Sequence, residues 1–431
     1  MKIAQLVPGT CNAFYCENCL RDYDLNETWR ALGHDADLVP LYLPLLADGQ
    51  AAVTQTPMFF GGVNVYLQQK SAFFRKTPRW LDRLFDSRRL LEWVSRKVGM
   101  TSAHELGETT LSMLRGEAGR QAKEVRRLVE YLAGRHRPDV VCLSNVLLAA
   151  LARPIGEAVG VPVVCLLQDE DAFLDALPEA HRGPAWDLLR ACAAEVDGFV
   201  AVSSYYRDAM IRRLGLPPAR VAVVRYGINP EGYRPAGARP DPPVIGFLGA
   251  AEPNKDLGAL VEAFADLKNR PGLRNLRLRA AGGHPAGNAK GVEDARRRLA
   301  ARSLEADAEF LPNLGRAQRQ DFLRTLSVLS VPTKRPEAYG MYVLEALASG
   351  VPVVAPRHGG IVELVEETGG GLLVEPNDPP ALAEALAALL LDPEKARAMA
   401  ERGRRAVAEK FDSRRTARDV VAVFEQTIAR V

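Results

Sequence analysis

Two glutamates, Glu337 and Glu345, stand in the run Pro-Thr-Lys-Arg-Pro-Glu-Ala-Tyr-Gly-Met-Tyr-Val-Leu-Glu, residues 332–345. Before it, Leu326 to Pro332 is apolar, β-branched and ended by proline, as a short buried strand is. After it, Met341 to Ser349 has helical apolar spacing and stops at Gly350. The run therefore reads as a strand-to-helix turn, with Glu337 in the loop and Glu345 in the helix. In a parallel α/β sheet such a turn lies at the carboxyl end of a strand, where ligands bind. Backbone N–H groups near Gly340, Met341 and Tyr342 would point out of the helix start, and the helix dipole there suits a phosphate or diphosphate. Glu337 would meet hydroxyls on one side of the phosphates and Glu345 hydroxyls on the other. A sugar, a diphosphate and a ribose fit that order. The bland alternative is a surface loop with two solvated glutamates.

The longer string Pro336-Glu-Ala-Tyr-Gly-Met-x-x-Leu-Glu-Ala-Leu-Ala-x-Gly-x-Pro-Val-Val-Ala355 resembles the donor-site signature of retaining glycosyltransferase family 4. It runs on into Gly359-Gly360-x-x-Glu363 and Gly369-Gly-Gly-Leu-Leu-Val374, as that family's C-terminal domain does. The resemblance covers the C-terminal domain well and the N-terminal domain loosely. It implies an α/β GT-B fold, two Rossmann-like doubly wound domains facing a central cleft. It also implies a hexosyltransferase that retains anomeric configuration and needs no metal. The co-substrate would be a nucleotide-diphosphate sugar, a UDP-sugar first, with no cofactor besides. A nucleotide-sugar epimerase or phosphorylase of the same fold, or a non-catalytic nucleotide-sugar binder, is the alternative.

The same resemblance assigns residues. Glu337 would position the donor sugar, Glu345 the ribose, and Gly340, Met341 and Tyr342 the phosphates. The loop Gly249-Ala-Ala-Glu-Pro-Asn-Lys255 corresponds to one that carries an arginine directly after its glycine and a lysine five residues later, both on the diphosphate. Lys255 fits and Gly249 is in place, but Ala250 stands where the arginine would be. Arg335, whose planar fork of donors suits phosphate oxygens, is the candidate replacement. Lys334 is the second choice, and a solvated basic turn or an ion pair is the alternative for both. On the acceptor side, Gln168 takes a position where many members carry histidine. It is followed by Asp169, Glu170 and Asp171, which read equally as substrate contacts or as a solvated acidic turn. The first loop begins at Gly9-Thr10, and its usual glycine pair is replaced by three cysteines, Cys11, Cys16 and Cys19. Those cysteines read first as thiols of an acceptor loop, with a redox pair or a metal site as alternatives.

These residues need elements to hold them, and 431 residues are enough for two α/β domains. Basic and acidic residues nearly cancel, 56 against 53, so net charge gives no support to nucleic-acid or membrane binding. No apolar stretch reaches the length of a membrane span, and the start is too short in its apolar run for a signal peptide, so a cytoplasmic protein is expected. Apolar runs at Lys2–Val7, Val140–Leu143, Val163–Leu167, Gly198–Val202, Val244–Leu248, Leu276–Ala281 and Ala308–Leu311 read as strands. The helices between them are expected at about Leu20–Gly33, Gln121–Gly134, Val146–Val159, Trp186–Val196, Leu257–Leu267, Gly291–Arg302 and Ala317–Leu326. Cys142 and Cys165 fall within strands and read as small core residues.

The expected division is an acceptor domain over 1–238, a nucleotide-sugar domain over 239–411, and a last helix over 412–431 that returns to the first domain. The Pro/Gly-rich run at 236–243 reads as the linker. Between Lys70 and Lys97 lie nine basic and three acidic residues with aromatic neighbours. Packing against the sheet is the first reading of this stretch, and peripheral contact with an anionic membrane the second. The expected partners are a nucleotide sugar and a small-molecule, glycan or lipid-linked acceptor, and no nucleic acid.

Overall fold

The computed structural model describes residues 1–9, 16–42, 46–47, 50–51, 59–60, 103–284 and 290–431. Thr10, Cys11 and the basic stretch 70–97 lie outside the described residues.

The chain divides into two compact units, one of Met1–Cys11, Asn18–Arg225 and Thr416–Val431, the other of Asn12–Glu17 and Tyr226–Arg415. In the first, strand β1 (Lys2–Val7) leads to helix α1 (Glu17–Ala31) and β2 (Asp35–Pro40), followed by a small hairpin, β3 (Leu46–Ala47) and β4 (Gln50–Ala51). Then come α2 (Ala103–Leu114), α3 (Ala122–Tyr131), β5 (Val140–Leu143), α4 (Ala152–Val159), β6 (Val163–Leu167), α5 (Glu170–Asp175), α6 (Glu179–Ala194), β7 (Gly198–Ala201), α7 (Ser204–Leu214) and β8 (Val221–Val223). The strands pair in parallel in the order β2-β1-β5-β6-β7-β8.

The second unit runs β9 (Val244–Leu248), α8 (Leu257–Lys268), β10 (Arg277–Ala281), α9 (Lys290–Ala300), β11 (Ala308–Phe310), α10 (Arg316–Leu323), β12 (Val328–Ser330) and α11 (Met341–Ala348). It continues through β13 (Val353–Pro356), α12 (Ile361–Thr368), β14 (Gly371–Val374), α13 (Pro379–Leu390) and α14 (Pro393–Lys410). Its strands are again parallel, in the order β11-β10-β9-β12-β13-β14. The last helix, α15 (Ser413–Ile428), begins in the second unit and continues in the first.

Parallel strands covered on both faces need apolar side chains throughout, not alternation. Central strands Val-Val-Cys-Leu, Val-Val-Cys-Leu-Leu and Val-Ile-Gly-Phe-Leu are buried at every position, whereas edge strands β11 and β14 are only half-buried. Cys142 and Cys165 are core residues, and burial pushes both thiols well up. In both sheets the chain reverses its direction of winding beside the first strand, so the switch points lie next to β1 and β9, where α/β sheets bind ligands.

Two expected helices and one expected turn are corrected. The expected helix Val146–Val159 opens as a 3₁₀ turn over Val146–Leu151 and becomes α-helical only at Ala152. Pro154 has no N–H to close an α-helical bond to residue 150, and it lies in the first turn of the α-helix, where no such bond is lost. Helix α6 starts at Glu179, well before Trp186, and carries Pro184 inside it. The acidic turn after β6 is a short helix, α5, and its Glu170 is buried.

The first unit is closed by Trp29 of α1. Its ring is fully buried, lies 5.5 Å from the Phe424 ring of α15, and its Nε1 donates to the Ala417 carbonyl at 3.1 Å. Trp29→Ala should cost about 3–5 kcal/mol, the usual loss for a buried aromatic truncated in a core. A urea midpoint equal to the parent's would show that α15 is not held through this ring.

Candidate active site

The loops after β9 and β12 are zipped together. Lys255 forms an antiparallel bridge with Thr333. The Asp256 N–H donates to the Pro332 carbonyl at 2.7 Å, and the Lys334 N–H to the Asn254 carbonyl at 2.9 Å. Asn254 Oδ1 accepts the Arg335 N–H at 2.9 Å. Through this ladder Lys255 is carried onto the turn that holds Glu337.

The Lys255 ammonium is buried, with side-chain exposure of 6%. It lies 2.9 Å from Glu17 Oε1, 3.9 Å from Glu337 Oε1 and 4.8 Å from the centroid of the Tyr342 ring. Burial alone would lower its pKa, but Glu17, Glu337 and Glu252 reverse this and hold it above the usual lysine value. Three carboxylates for one ammonium leave the carboxylates the weaker side. Burial pushes Glu337 up to about 7, against the pull of Lys255 and with Glu17 adding to the rise. Glu252 is raised too, first by burial.

Glu337 is fixed on every side. Its Oε2 accepts from the Tyr342 hydroxyl at 3.0 Å, and its carbonyl accepts the Gly360 N–H at 2.8 Å. Gly359 has φ +68°, and a Cβ there would come 2.5 Å from the Glu337 carbonyl oxygen, so only glycine lets the two loops close. Gly340, with φ +108°, leads into α11 and offers no side-chain cap. The Met341 N–H that opens this helix is not free, as its position suggested, but donates to Glu17 Oε2 at 2.5 Å. Gly249 follows β9, and its N–H donates to the Ala281 carbonyl at 3.0 Å.

Glu345 lies within α11 in a second buried cluster. Its Oε1 accepts from the Tyr233 hydroxyl at 2.5 Å and from Arg319 Nε at 3.2 Å, with all three side chains buried. Arg335 is exposed, and its charge opposes the rise at Glu252. Lys334 lies 3.4 Å from Asp256 Oδ2, the ion pair that was one of its two readings.

In the first unit, Gln168, Asp169 and Asp171 surround a buried polar network. Gln168 Nε2 donates to Asp22 Oδ1 at 2.9 Å, and its backbone N–H to Glu170 Oε2 at 2.6 Å. The Tyr206 hydroxyl is within 2.9 Å of Glu170 Oε2 and 3.0 Å of Asp171 Oδ1. Burial pushes Asp22 up to about 7, against Arg21, and raises Glu170. Glu170 also accepts the Val146 N–H, so it ties β5 to β6; the solvated acidic turn is therefore ruled out for it. Asp169 caps α5 with φ +65°, an uncommon backbone for a residue with a Cβ. The Gly9 carbonyl accepts from the Cys19 thiol at 3.8 Å.

Sequence reasoning overlooked Glu17, Asn254, Tyr233, Arg319 and Asp22. Only Glu17 carried a signal, an acidic residue in a helix's first turn, and it was missed because α1 begins three residues earlier than its apolar spacing suggested.

Two doubly wound, six-stranded parallel sheets, with a cationic turn at the second switch point, define a GT-B protein. A family model described as glycosyl transferases group 1 matches residues 231–406, and one described as glycosyltransferase family 4 matches residues 103–231. The D-inositol 3-phosphate glycosyltransferase of Saccharomonospora viridis is 34% identical over 249 residues, 55% of this chain and 57% of that protein. Its counterpart in Streptomyces avermitilis is 35% identical over 213 residues, 46% of each. The chain thus spans about half the length of the curated relatives it matches. Among solved structures, sucrose-phosphate synthase from Thermosynechococcus elongatus aligns with a TM-score of 0.71 at 18% identity, over 100% of this chain and 99% of that one. Anabaena HepE, solved with UDP, aligns at 0.69 and 18% identity, over 99% and 100%. At such identities the likeness is one of fold. The two matches, taken together over residues 103–406, support a family-4-like glycosyltransferase.

Because the folded state holds a proton on Glu337 beyond the ordinary glutamate range, it binds more protons than the unfolded chain between about pH 4.5 and 7. This contribution to stability is present at low pH and lost as pH rises through that window. Glu337→Gln removes it. The urea midpoint should therefore fall less between pH 5 and 7.5 in the variant than in the parent, and parallel curves would contradict the raised pKa.

Proposed function

We propose that the protein transfers a hexose from a UDP-sugar to an acceptor hydroxyl, with retention of anomeric configuration and without a metal. The observation that carries this is the convergence of Lys255 and the Met341 N–H on one anionic group at the switch point of the second sheet. A diphosphate placed there would be held by one ammonium and the positive end of α11, fixed charges that stabilise the leaving group as the sugar–oxygen bond breaks. Glu337, braced by Tyr342, would face the sugar. Glu345, held by Tyr233 and Arg319, would face the ribose. The acceptor would then attack from the face that the diphosphate leaves. HepE, solved with UDP-glucose, supports the choice of donor, and the names of the curated relatives place D-inositol 3-phosphate first in an acceptor panel. Asp169 and Asp171, with Gln168, Gly9 and Thr10, are the proposed acceptor residues, and Cys16 and Cys19 are proposed to hold no metal.

A second reading is a nucleotide-sugar binder without turnover. It is favoured by Ala250 and Gln168, which stand in place of the family's arginine and histidine. Calorimetry with UDP and UDP-glucose, beside a product assay in excess chelator, separates the two: binding with turnover supports transfer, and binding alone supports the second. Turnover that returns only on adding a divalent ion would sink the metal-free mechanism.

Glu337→Gln should keep UDP affinity and lower turnover, because its carboxylate acts on the sugar. Arg335 is proposed to supply the charge that Ala250 cannot. Arg335→Ala should lower turnover about a hundredfold, near 2.7 kcal/mol, the loss expected for one preorganised charge contact. Lys334→Ala, whose ammonium already faces Asp256, should change it little. Unchanged kinetics in Arg335→Ala would remove that residue from the mechanism.

A further inference from the structure

The anion gripped by Lys255 and α11 belongs to the protein itself. We propose that Glu17 is a built-in occupant of the phosphate position, a residue that sets how tightly phosphate-bearing ligands bind. The inference rests on the reading that this position receives the donor diphosphate.

The geometry is that of a placeholder. The two carboxylate oxygens of Glu17 are divided between two donors, Oε1 on the Lys255 ammonium at 2.9 Å and Oε2 on the Met341 N–H at 2.5 Å. A phosphate group offers the same pair of oxygens to the same donors. Helix α11 makes the need plain: Gly340 before it has no side chain to cap it, and the cap arrives from a residue 324 positions away in sequence. Glu17 is the nearer of two acids on this ammonium, at 2.9 Å against 3.9 Å for Glu337, so the strongest pairing of Lys255 is the one that a phosphate would replace. Glu17 and a phosphate cannot both hold the single Met341 N–H, and beside one ammonium their negative charges repel one another. Binding must therefore break the Glu17–Met341 contact and weaken the Glu17–Lys255 one, and that loss is subtracted from the ligand's binding energy.

Glu17 thereby becomes a filter. A ligand displaces it only by bringing more charge, or further contacts elsewhere, than the carboxylate already provides. A diphosphate attached to a nucleoside does both, whereas free inorganic phosphate brings little beyond what it removes. In the absence of ligand the same contact keeps Lys255 neutralised and the first turn of α11 capped.

The test is calorimetric, on the full chain, with UDP, inorganic pyrophosphate and uridine as probes against the parent, Glu17→Gln, Glu17→Asp and Lys255→Ala. Glu17→Gln should bind UDP and pyrophosphate tighter by about tenfold or more, the factor carried by one charged hydrogen bond. Uridine, which has no phosphate, should bind both proteins alike. Glu17→Asp, one methylene shorter, should lose one of its two contacts and fall between. It also carries the test if the glutamine variant does not fold. Lys255→Ala should lose pyrophosphate binding. Equal or weaker pyrophosphate affinity in both Glu17 variants would overturn the proposal and leave Glu17 an ordinary structural ion pair. Tighter pyrophosphate binding with no UDP binding in any variant would leave the placeholder standing and sink the UDP-sugar reading instead.

Discussion

A buried ammonium stays charged only if carboxylates are brought near it, and in this protein acids from three segments act on one lysine. Glu17, Glu252 and Glu337 come from the start of α1, the loop after β9 and the loop after β12. Alone, each would be an acid in a turn. Together they reverse the penalty that burial places on Lys255, while their own burial raises the carboxyl pKa values of Glu337 and Glu252 against the pull of that lysine. Charge in the cluster is thus unevenly settled, one ammonium being shared among competing acids. A further anion can enter such an arrangement only in place of one of the acids, because their negative charge already exceeds the lysine's.

Backbone geometry makes the convergence possible. The bridge between Lys255 and Thr333 and the bonds of Asn254 to the Arg335 backbone fix one loop upon the other. Behind Glu337, a glycine in the left-handed region permits a contact that any Cβ would block. The outcome is a carboxylate whose position is determined by backbone rather than by its own rotamer freedom. A site on rigid loops at a sheet's switch point needs little reorganisation when charge develops in it.

The polar network of the first unit works differently. Gln168, Asp22, Glu170 and Tyr206 satisfy one another in the interior, and Glu170 ties the ends of β5 and β6 through backbone N–H groups. Such buried networks rigidify a core when every member is paired. The carboxamide at Gln168 is therefore a structural partner of Asp22 whatever else it does.

The sequence by itself determined the α/β class and the order of its elements, because apolar runs of strand length alternating with helical spacing point to parallel sheets, and the family resemblance of residues 336–374 added their doubly wound arrangement. It also placed Lys255, Glu337 and Gly340 at the ends of strands, since each sits at a break between two periodicities. Tertiary structure decided their partners. Nothing in local spacing joins Glu17 to Met341, Tyr233 to Glu345 or Arg319 to either, because these pairs lie 324, 112 and 26 or more residues apart. Helix starts were equally hidden where proline obscured them, at Pro154 and Pro184, since a missing N–H constrains a helix only through the residue four positions earlier. Periodicity reports which face of an element is buried; which charged group waits on that face is settled only when distant segments meet, where burial makes each unpaired charge costly and so selects its neighbour.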